Sequence, residues 1–132
     1  MKQFDNINLL GEDAEFDHVG IAVNSINDTL KNVQKVVDPL QNVGVALINI
    51  NHFKIELVEP LNKSSPVTKI LEKGQSIYHI CFKVQNIQVA IELARKNGFH
   101  CIAKPAPAKA FKDKRIAWLF SRTYGLIELL EK

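Results

Sequence analysis

Two histidines, His18 and His79, occupy the same place in two similar stretches of the sequence. Residues 17–26 read DHVGIAVNSI and residues 78–87 read YHICFKVQNI, and the two stretches match in hydrophobic pattern without a gap. In each stretch the alternation of apolar residues predicts a β-strand whose histidine faces away from the more apolar side. We therefore expect both imidazoles on the same face of one sheet.

Two glutamates repeat in the same way. Residues 55–59, IELVE, return as residues 127–131, IELLE. Glu56 and Glu128 each stand between two apolar residues, so strand alternation directs both carboxylates to the face that the imidazoles occupy. A single glutamate in a strand often prevents the edge of a sheet from pairing with another chain. The repetition of both residue types instead indicates one module used twice, with four polar groups directed to a common point.

These four side chains, His18, Glu56, His79 and Glu128, have the donor set of a divalent-cation site. Two imidazole nitrogens and two carboxylate oxygens suit Mn, Fe, Co, Ni or Zn. Burying these four groups inside an apolar cup without partners would cost free energy. A six-coordinate cation with four protein ligands keeps two open positions for two oxygens of one substrate. The pattern predicts Lewis-acid stabilisation of an enolate or enediolate while a base removes a carbon-bound proton.

The elements that must position these groups follow from the periodicity of apolar residues. Helices are expected where apolar residues recur every three or four positions, and strands where they alternate or run continuously. In the first half the pattern predicts a strand at 16–23, a helix at 26–37 ended by Pro39, and strands at 43–50 and 52–58, with room for one extra short strand. In the second half it predicts a short helix at 66–73, a strand at 77–84, a helix at 86–96, a strand at 99–103, a Pro- and Lys-rich loop at 104–114, and strands at 115–120 and 126–130.

The length of 132 residues suits a single domain, 1–132, made of module 1 at about 16–60, a linker at 61–76 and module 2 at about 77–131. Neither module can bury its sheet alone. We therefore expect an α+β fold in which the two modules pair edge to edge and form an open, cup-shaped curved sheet with the helices outside.

The composition of the chain excludes several other classes of protein. The content of 46% hydrophobic and 23% charged residues is ordinary for a globular protein, and the net charge of +3 is modest. The basic residues are scattered without an aromatic platform, so we expect no nucleic acid partner. No segment resembles a signal peptide or a membrane span. Cys81 and Cys101 lack metal or redox spacing, which predicts reduced thiols in a cytoplasmic protein without a membrane partner.

The densest basic cluster lies between positions 104 and 115. Lys109, Lys114 and Arg115 are its candidates for substrate binding, as a clamp for a phosphate or a carboxylate. The alternative is a solvated loop without a ligand. Glu59 and Glu131, which flank the repeated glutamates with opposite parity, should leave the cup.

These segments resemble the vicinal oxygen chelate superfamily, which includes glyoxalase I, extradiol dioxygenases and bleomycin-resistance proteins. Within it, residues 17–23, 54–61, 65–66 with 71–74, and 78–82 are most similar to methylmalonyl-CoA epimerases, and residues 126–130 complete the pattern. The resemblance implies two βαβββ modules, an acyl thioester substrate and a homodimer. It also implies metal ligands at His18, Glu56, His79 and Glu128, with Glu128 as the catalytic carboxylate.

The resemblance also leaves alternatives open. The second acidic base of some epimerases corresponds here to Val45 or Ala46, so the second face of the carbanion would need water or another group. We expect a metal-dependent epimerase or isomerase. The alternatives are glyoxalase I, which acts on a glutathione adduct, and a non-catalytic small-molecule binding protein. A dioxygenase is disfavoured because Glu56 would block the position that oxygen needs.

Overall fold

Residues 4–132, which a computed structural model describes, form one sheet of eight strands with three α-helices and a short 3-10 helix. The strands are β1 (Glu15–Ala22), β2 (Val36–Asp38), β3 (Val43–Ile50), β4 (Phe53–Pro60), β5 (Ile77–Val84), β6 (His100–Pro107), β7 (Arg115–Ser121) and β8 (Gly125–Glu131). The helices are α1 (Ile26–Thr29), α2 (Pro66–Glu72) and α3 (Ile87–Lys96), and the 3-10 helix is Lys109–Phe111.

The sheet has the strand order β2-β3-β4-β1-β5-β8-β7-β6. In each half the first strand pairs in parallel with the fourth, and the fourth and third strands and the third and second strands pair antiparallel. The two first strands, β1 and β5, pair antiparallel at the centre and join the halves edge to edge. The expected α+β fold of two βαβββ modules forming a curved sheet is therefore confirmed.

Helix α3 covers module 2 on the face of the sheet opposite the histidines. Asn86 caps it by accepting a hydrogen bond from the backbone N–H of Val89 at 3.1 Å, which satisfies one free donor of the first turn. Four residues of one stripe, Ile87, Ala90, Ile91 and Ala94, are buried against β7 and β8. This helix begins and ends within one residue of the prediction because its amphipathic pattern is uninterrupted.

Helix α1 is much shorter than predicted, so the expected helix at 26–37 is wrong. Ser25 accepts a hydrogen bond from the N–H of Asp28, as a cap should. The helix then ends, because Leu30 adopts an extended conformation and Asn32 a left-handed one with φ 63°. Its last predicted residues instead form β2, which pairs with β3. β-Branched residues such as those at 36–37 fit a strand better than a helix.

The Pro- and Lys-rich segment is also more regular than the loop predicted at 104–114. Strand β6 continues to Pro107, with shifts in its register against β7. Its prolines are tolerated because β6 is the edge strand, where a missing N–H leaves no partner unpaired. The 3-10 helix follows and crosses to module 1, where it contacts β2 and β3.

Two further findings concern the length of the helices and the state of the cysteines. Among residues 4–132, no helix has the length and apolar character that crossing a membrane requires. Cys81 and Cys101 are both free thiols, and Cys81 is fully buried.

Candidate metal centre and its cavity

The four repeated side chains converge on the concave face of the sheet. His18 comes from β1, Glu56 from β4, His79 from β5 and Glu128 from β8, the four central strands. All four residues are buried, with at most 4% of their surface exposed. Strand pairing explains the convergence, because Gly20 stands opposite both Glu56 and His79 in the register of β1.

One atom of each side chain lies close to an atom of the others. The Nε2 atoms of His18 and His79 are 3.3 Å apart. Oε1 of Glu128 lies 3.1 Å from Nε2 of His18 and 3.2 Å from Nε2 of His79. Oε1 of Glu56 lies 3.5 and 3.3 Å from the same two nitrogens. Donor atoms that each bind one ion at about 2.0–2.2 Å are separated by distances of this size.

The donor atoms fit a divalent cation for a second reason. Oε1 of Glu128 is buried, and among residues 4–132 it has no hydrogen-bond partner apart from the two imidazole nitrogens, which could donate to it only when they are protonated. A buried carboxylate oxygen without a partner lowers the stability of the fold, and binding a cation or a proton would remove this free-energy penalty. Two imidazole nitrogens and two carboxylate oxygens are ligands that borderline first-row metals accept. The residues therefore fit the ion that the sequence pattern predicts.

The carboxylates around the centre also shift the pKa values of its residues. Burial lowers the pKa of His18, but hydrogen bonds to Asp17, Cys81 and the two glutamates outweigh burial and raise it well above its usual range. The pKa of His79 is raised as well, against burial, by Glu128 and Glu56. Burial opposes the ionisation of Glu56, yet hydrogen bonds from the two imidazoles lower its pKa. The centre therefore attracts positive charge, as protons or as a metal ion.

Asp17 is a residue of this centre that the sequence pattern did not reveal. Its Oδ2 lies 2.7 Å from Nδ1 of His18, and its Oδ1 accepts a hydrogen bond from Nζ of Lys54 at 3.1 Å. Burial would raise the pKa of Asp17, but these two contacts hold it well below its usual range. Strict alternation places residue 17 on the opposite face from residue 18, so no sequence signal could have identified it.

The two imidazoles are also enclosed by rings and by a glycine. The ring of His18 stacks on Phe111 of the 3-10 helix, with centroids 5.6 Å apart. The rings of Tyr78 and Trp118 meet His79 edge to face, with centroids 4.6 and 4.8 Å away. Gly20 lies against the ring of His79 and leaves no space for a β-carbon. Packing therefore restricts where both nitrogens can lie.

A cavity of about 390 Å³ opens beside the four donor atoms, and Glu56 and Glu128 form part of its wall. Its volume falls in the range of small-molecule sites. Most of the wall is apolar and comes from both modules. The apolar residues include Val43, Val45, Val58, Val67, Ile102, Ala108, Phe111, Ile116, Trp118 and Leu126. Of the two positions considered for a second base, Val45 lines the cavity, and Ala46 is buried among apolar residues that do not line it.

A third carboxylate, Asp38 at the end of β2, also lines the cavity. It is buried, and it accepts hydrogen bonds from the backbone N–H groups of Gln41 and Lys109 at 3.1 and 3.0 Å. The second contact joins β2 in module 1 to the 3-10 helix in module 2. The sequence pattern missed Asp38 because the residues just before it were assigned to a helix, whereas they form a strand that ends at Asp38.

The predicted basic clamp does not line the cavity. Lys109, Lys114 and Arg115 are exposed residues, and none of them contributes to the wall. Nζ of Lys109 pairs with Asp113 at 3.3 Å. Arg115 pairs with Glu131 at 3.1 Å, and its hydrogen bonds lower the pKa of that glutamate. Their role in substrate binding stays a prediction that concerns the surface outside the cavity.

Glu59 takes no part in the centre. It accepts a hydrogen bond from the N–H of Ile26 at 2.7 Å and another from Nζ of Lys35 at 3.0 Å. Its side chain occupies the space above Gly44, which faces it across the β3–β4 pair. This carboxylate therefore holds the first turn of α1 against the sheet.

The chain is similar to several known sequences. The profile of the Glyoxalase/Bleomycin resistance protein/Dioxygenase superfamily matches residues 17–118. The uncharacterized protein YqjC of Bacillus subtilis is 36% identical over 128 residues, which cover 87% of this chain and 90% of that protein. The mitochondrial methylmalonyl-CoA epimerase of Mus musculus is 30% identical over 126 residues, which cover 86% of this chain and 70% of that protein.

Solved structures share the fold. A hypothetical protein from Bacillus halodurans superposes with a TM-score of 0.77 and 34% sequence identity, covering 92% of this chain and 96% of that one. The fold of this chain is therefore also found in a solved structure of a related sequence.

Proposed function

The chain belongs to the Glyoxalase/Bleomycin resistance protein/Dioxygenase superfamily, and from this premise we propose that it is a metal-dependent epimerase of an acyl thioester. The observation that supports this most is the convergence of two imidazole nitrogens and two carboxylate oxygens at the wall of an apolar cavity. Its homologues include methylmalonyl-CoA epimerases, so a 2-methylmalonyl-type thioester is the substrate we propose to test first.

His18, Glu56, His79 and Glu128 would hold the cation. A bound divalent cation supplies a Lewis acid that favours negative charge on substrate oxygens as a neighbouring carbon loses its proton. Glu128 belongs both to the donor set and to the cavity wall. We assign it the role of the carboxylate that accepts a proton from one face of the substrate. The apolar wall would exclude water and hold the alkyl part of the acyl group.

Asp38 is the residue we propose for the opposite face. Epimerisation requires that a proton leave one face of a carbon and return to the other, so two exchanging groups are needed. Asp38 is a carboxylate of the wall that comes from the other module than Glu128. Backbone N–H groups of Gln41 and Lys109 hold it in place. It therefore supplies the second acidic group that the sequence pattern did not show.

The basic residues outside the cavity suit the charged part of a large thioester. Lys109 and Lys114 lie on or beside the 3-10 helix, whose Ala110 and Phe111 line the cavity. Together with Arg115 they carry positive charge close to this wall. We propose that they contact the phosphates of a coenzyme A carrier, whereas the acyl group enters the cavity.

The test follows the α-proton. One epimer of methylmalonyl-CoA is incubated in D₂O with protein loaded in turn with Co, Mn, Ni, Zn or Fe, and deuterium incorporation is measured by NMR. Exchange that requires both metal and Glu128 supports the proposal, with Glu128→Gln as the inactive variant and Glu59→Gln as the matched control. If no metal supports exchange, the proposed epimerase activity is wrong.

Glyoxalase I activity is the second candidate, and one feature of the wall favours it. No lysine or arginine lines the cavity among residues 4–132, so a substrate carboxylate finds no cationic side chain there. A hemithioacetal of methylglyoxal and glutathione places no carboxylate at the reacting carbon. Adding both compounds to metal-loaded protein and following thioester absorbance separates this activity from epimerisation. Substrate binding without turnover in either assay would instead indicate a non-catalytic binding protein.

We also propose that the protein is a homodimer. Phe16, Ile77 and Ile80 lie at the centre of the sheet on the face opposite the histidines and expose 46%, 61% and 36% of their surface. Contiguous apolar surface of this kind commonly marks an interface between proteins. Light scattering coupled to gel filtration measures the mass, and an Ile77→Asp variant should shift it toward that of a monomer.

A further inference from the structure

Asp17 makes the closest contact with an imidazole of the candidate centre, although alternation alone would place it on the other face. The β1–β5 register shifts between Phe16 and His18, so Asp17 has no paired residue on β5. An extra unpaired residue of this kind forms a β-bulge, which redirects side chains. Asp17 Oδ2 consequently lies 2.7 Å from Nδ1 of His18 on the concave side.

This contact determines which nitrogen of His18 faces the other donor atoms. An ionised carboxylate only accepts hydrogen bonds, so Nδ1–H of His18 donates to Asp17. When His18 loses its second proton, as cation binding requires, the lone pair is therefore on Nε2, which lies toward His79 and Glu128. We propose that Asp17 is a positioning residue that fixes this tautomer and ring orientation of His18 for cation binding. The inference rests on the cation site of the proposed function and extends it to a residue outside the donor set.

Two lysines hold Asp17 in turn. Nζ of Lys54 on β4 lies 3.1 Å from Oδ1, and Nζ of Lys83 on β5 lies 3.6 Å from the same oxygen. Only 4% of the Asp17 side chain is exposed, whereas the two lysines are more than a third exposed. Because β4 and β5 flank β1 on its two sides, Asp17 is held from both modules. Its carboxylate can therefore restrain His18 without rotating away.

His79 has no corresponding restraint. Its Nδ1 is buried and forms no hydrogen bond with any residue that the structure describes. On the Nδ1 side its ring is held by packing, through Gly20 and the edge-to-face contacts of Tyr78 and Trp118, whereas Nε2 faces the two glutamates. The two imidazoles of the repeat are therefore unequal. His18 has a hydrogen-bonded carboxylate that raises ligand basicity, and His79 does not.

The test compares Asp17→Asn and Asp17→Ala with Glu59→Gln, which removes another buried carboxylate that does not contact the centre. Binding of Zn²⁺ and of Co²⁺ to the metal-free proteins is measured by calorimetry. We expect both Asp17 variants to bind these ions about 10–100-fold more weakly than the parent. Asp17→Ala should have the lower affinity of the two variants. Glu59→Gln should bind as the parent does, and thermal melts establish that each variant is folded.

A spectroscopic readout separates positioning from a loss of structure. In Co²⁺-loaded protein the Nδ1–H protons of the two imidazoles give paramagnetically shifted, exchangeable NMR signals. The His18 signal, assigned by its loss in His18→Gln, should exchange faster with D₂O in Asp17→Ala. The His79 signal should exchange at an unchanged rate.

Two results would overturn the inference, and they are distinct. If both Asp17 variants bind the ions as tightly as the parent and both signals exchange as before, the positioning role is wrong and the cation site stands. If the parent protein binds neither ion, the proposed cation site is wrong, and the role of Asp17 with it.

Discussion

Gly20 on β1 lies so close to the imidazole of His79 that a β-carbon at position 20 would collide with Cε1 of the ring. The glycine is required here for space, not for an unusual backbone conformation. We expect Gly20→Ala to displace His79 and to weaken Zn²⁺ affinity by more than about tenfold, because the ring could no longer reach the other donor atoms. Calorimetry of the metal-free variant measures the effect.

Gly44→Ala is the matched control for that substitution. Its β-carbon would fall 2.8 Å from Oε2 of Glu59 on the opposite face of the sheet. The variant should lower the melting temperature but leave the affinity for Zn²⁺ unchanged. Equal affinities in Gly20→Ala and Gly44→Ala would show that His79 contributes nothing to ion binding.

The stability of the metal-free protein should decrease at alkaline pH. The pKa values of His18 and His79 are raised in the folded state. Their contribution to the free energy of unfolding is therefore complete below about pH 6.5, the pKa of histidine in the unfolded chain, and it is lost as pH rises toward the raised pKa values. Asp17 and Glu56 have lowered pKa values. Their contribution is present above about pH 4.5 and is lost as pH falls through the folded values.

The melting temperature of chelator-treated protein should therefore be highest near about pH 5–6 and lower at about pH 9. A bound cation must displace the imidazole protons, so saturating Zn²⁺ should stabilise the protein more at alkaline than at acid pH. Differential scanning calorimetry across this range tests both trends. A metal-free protein that becomes more stable between pH 6 and 9 would contradict the assigned directions.

Asp38→Asn tests the proposed second proton exchanger. The variant should still incorporate deuterium into one epimer of the substrate, because Glu128 is intact. Conversion between epimers should fall by about 10²–10⁴-fold, the usual contribution of a positioned acid or base. NMR in D₂O, started separately from each epimer, distinguishes exchange from inversion. Asp28→Asn on α1 is the control, and an unchanged epimerisation rate in Asp38→Asn would rule out this role.

Glu59→Ala should destabilise the fold without affecting ion binding. The substitution leaves the buried N–H of Ile26 without an acceptor and removes the ion pair with Lys35. We expect a loss of about 1–3 kcal/mol in the free energy of unfolding, because an unsatisfied buried donor carries its full desolvation cost. Urea denaturation measures this loss. A loss of Zn²⁺ affinity as large as that of Gly20→Ala would place Glu59 in the centre instead.

Local pattern was sufficient to predict much of the fold and the face of each repeated residue. Alternation is a property of the strand itself, so the parity of His18, Glu56, His79 and Glu128 could be determined from neighbouring residues alone. The repeat then related the two halves. Helix α3 was predictable for the same reason, because its apolar stripe and its cap are local.

Pairing between distant segments decided the rest. The bulge that brings Asp17 to His18 exists only because β1 meets β5 in a shifted register, which no stretch of sequence specifies. Residues 36–38 became a strand because β3 offered an edge with which to pair, and this placed Asp38 in the cavity wall. The sequence determined which faces carry the chemical groups, whereas tertiary structure decided which groups meet, because register and packing depend on partners far along the chain.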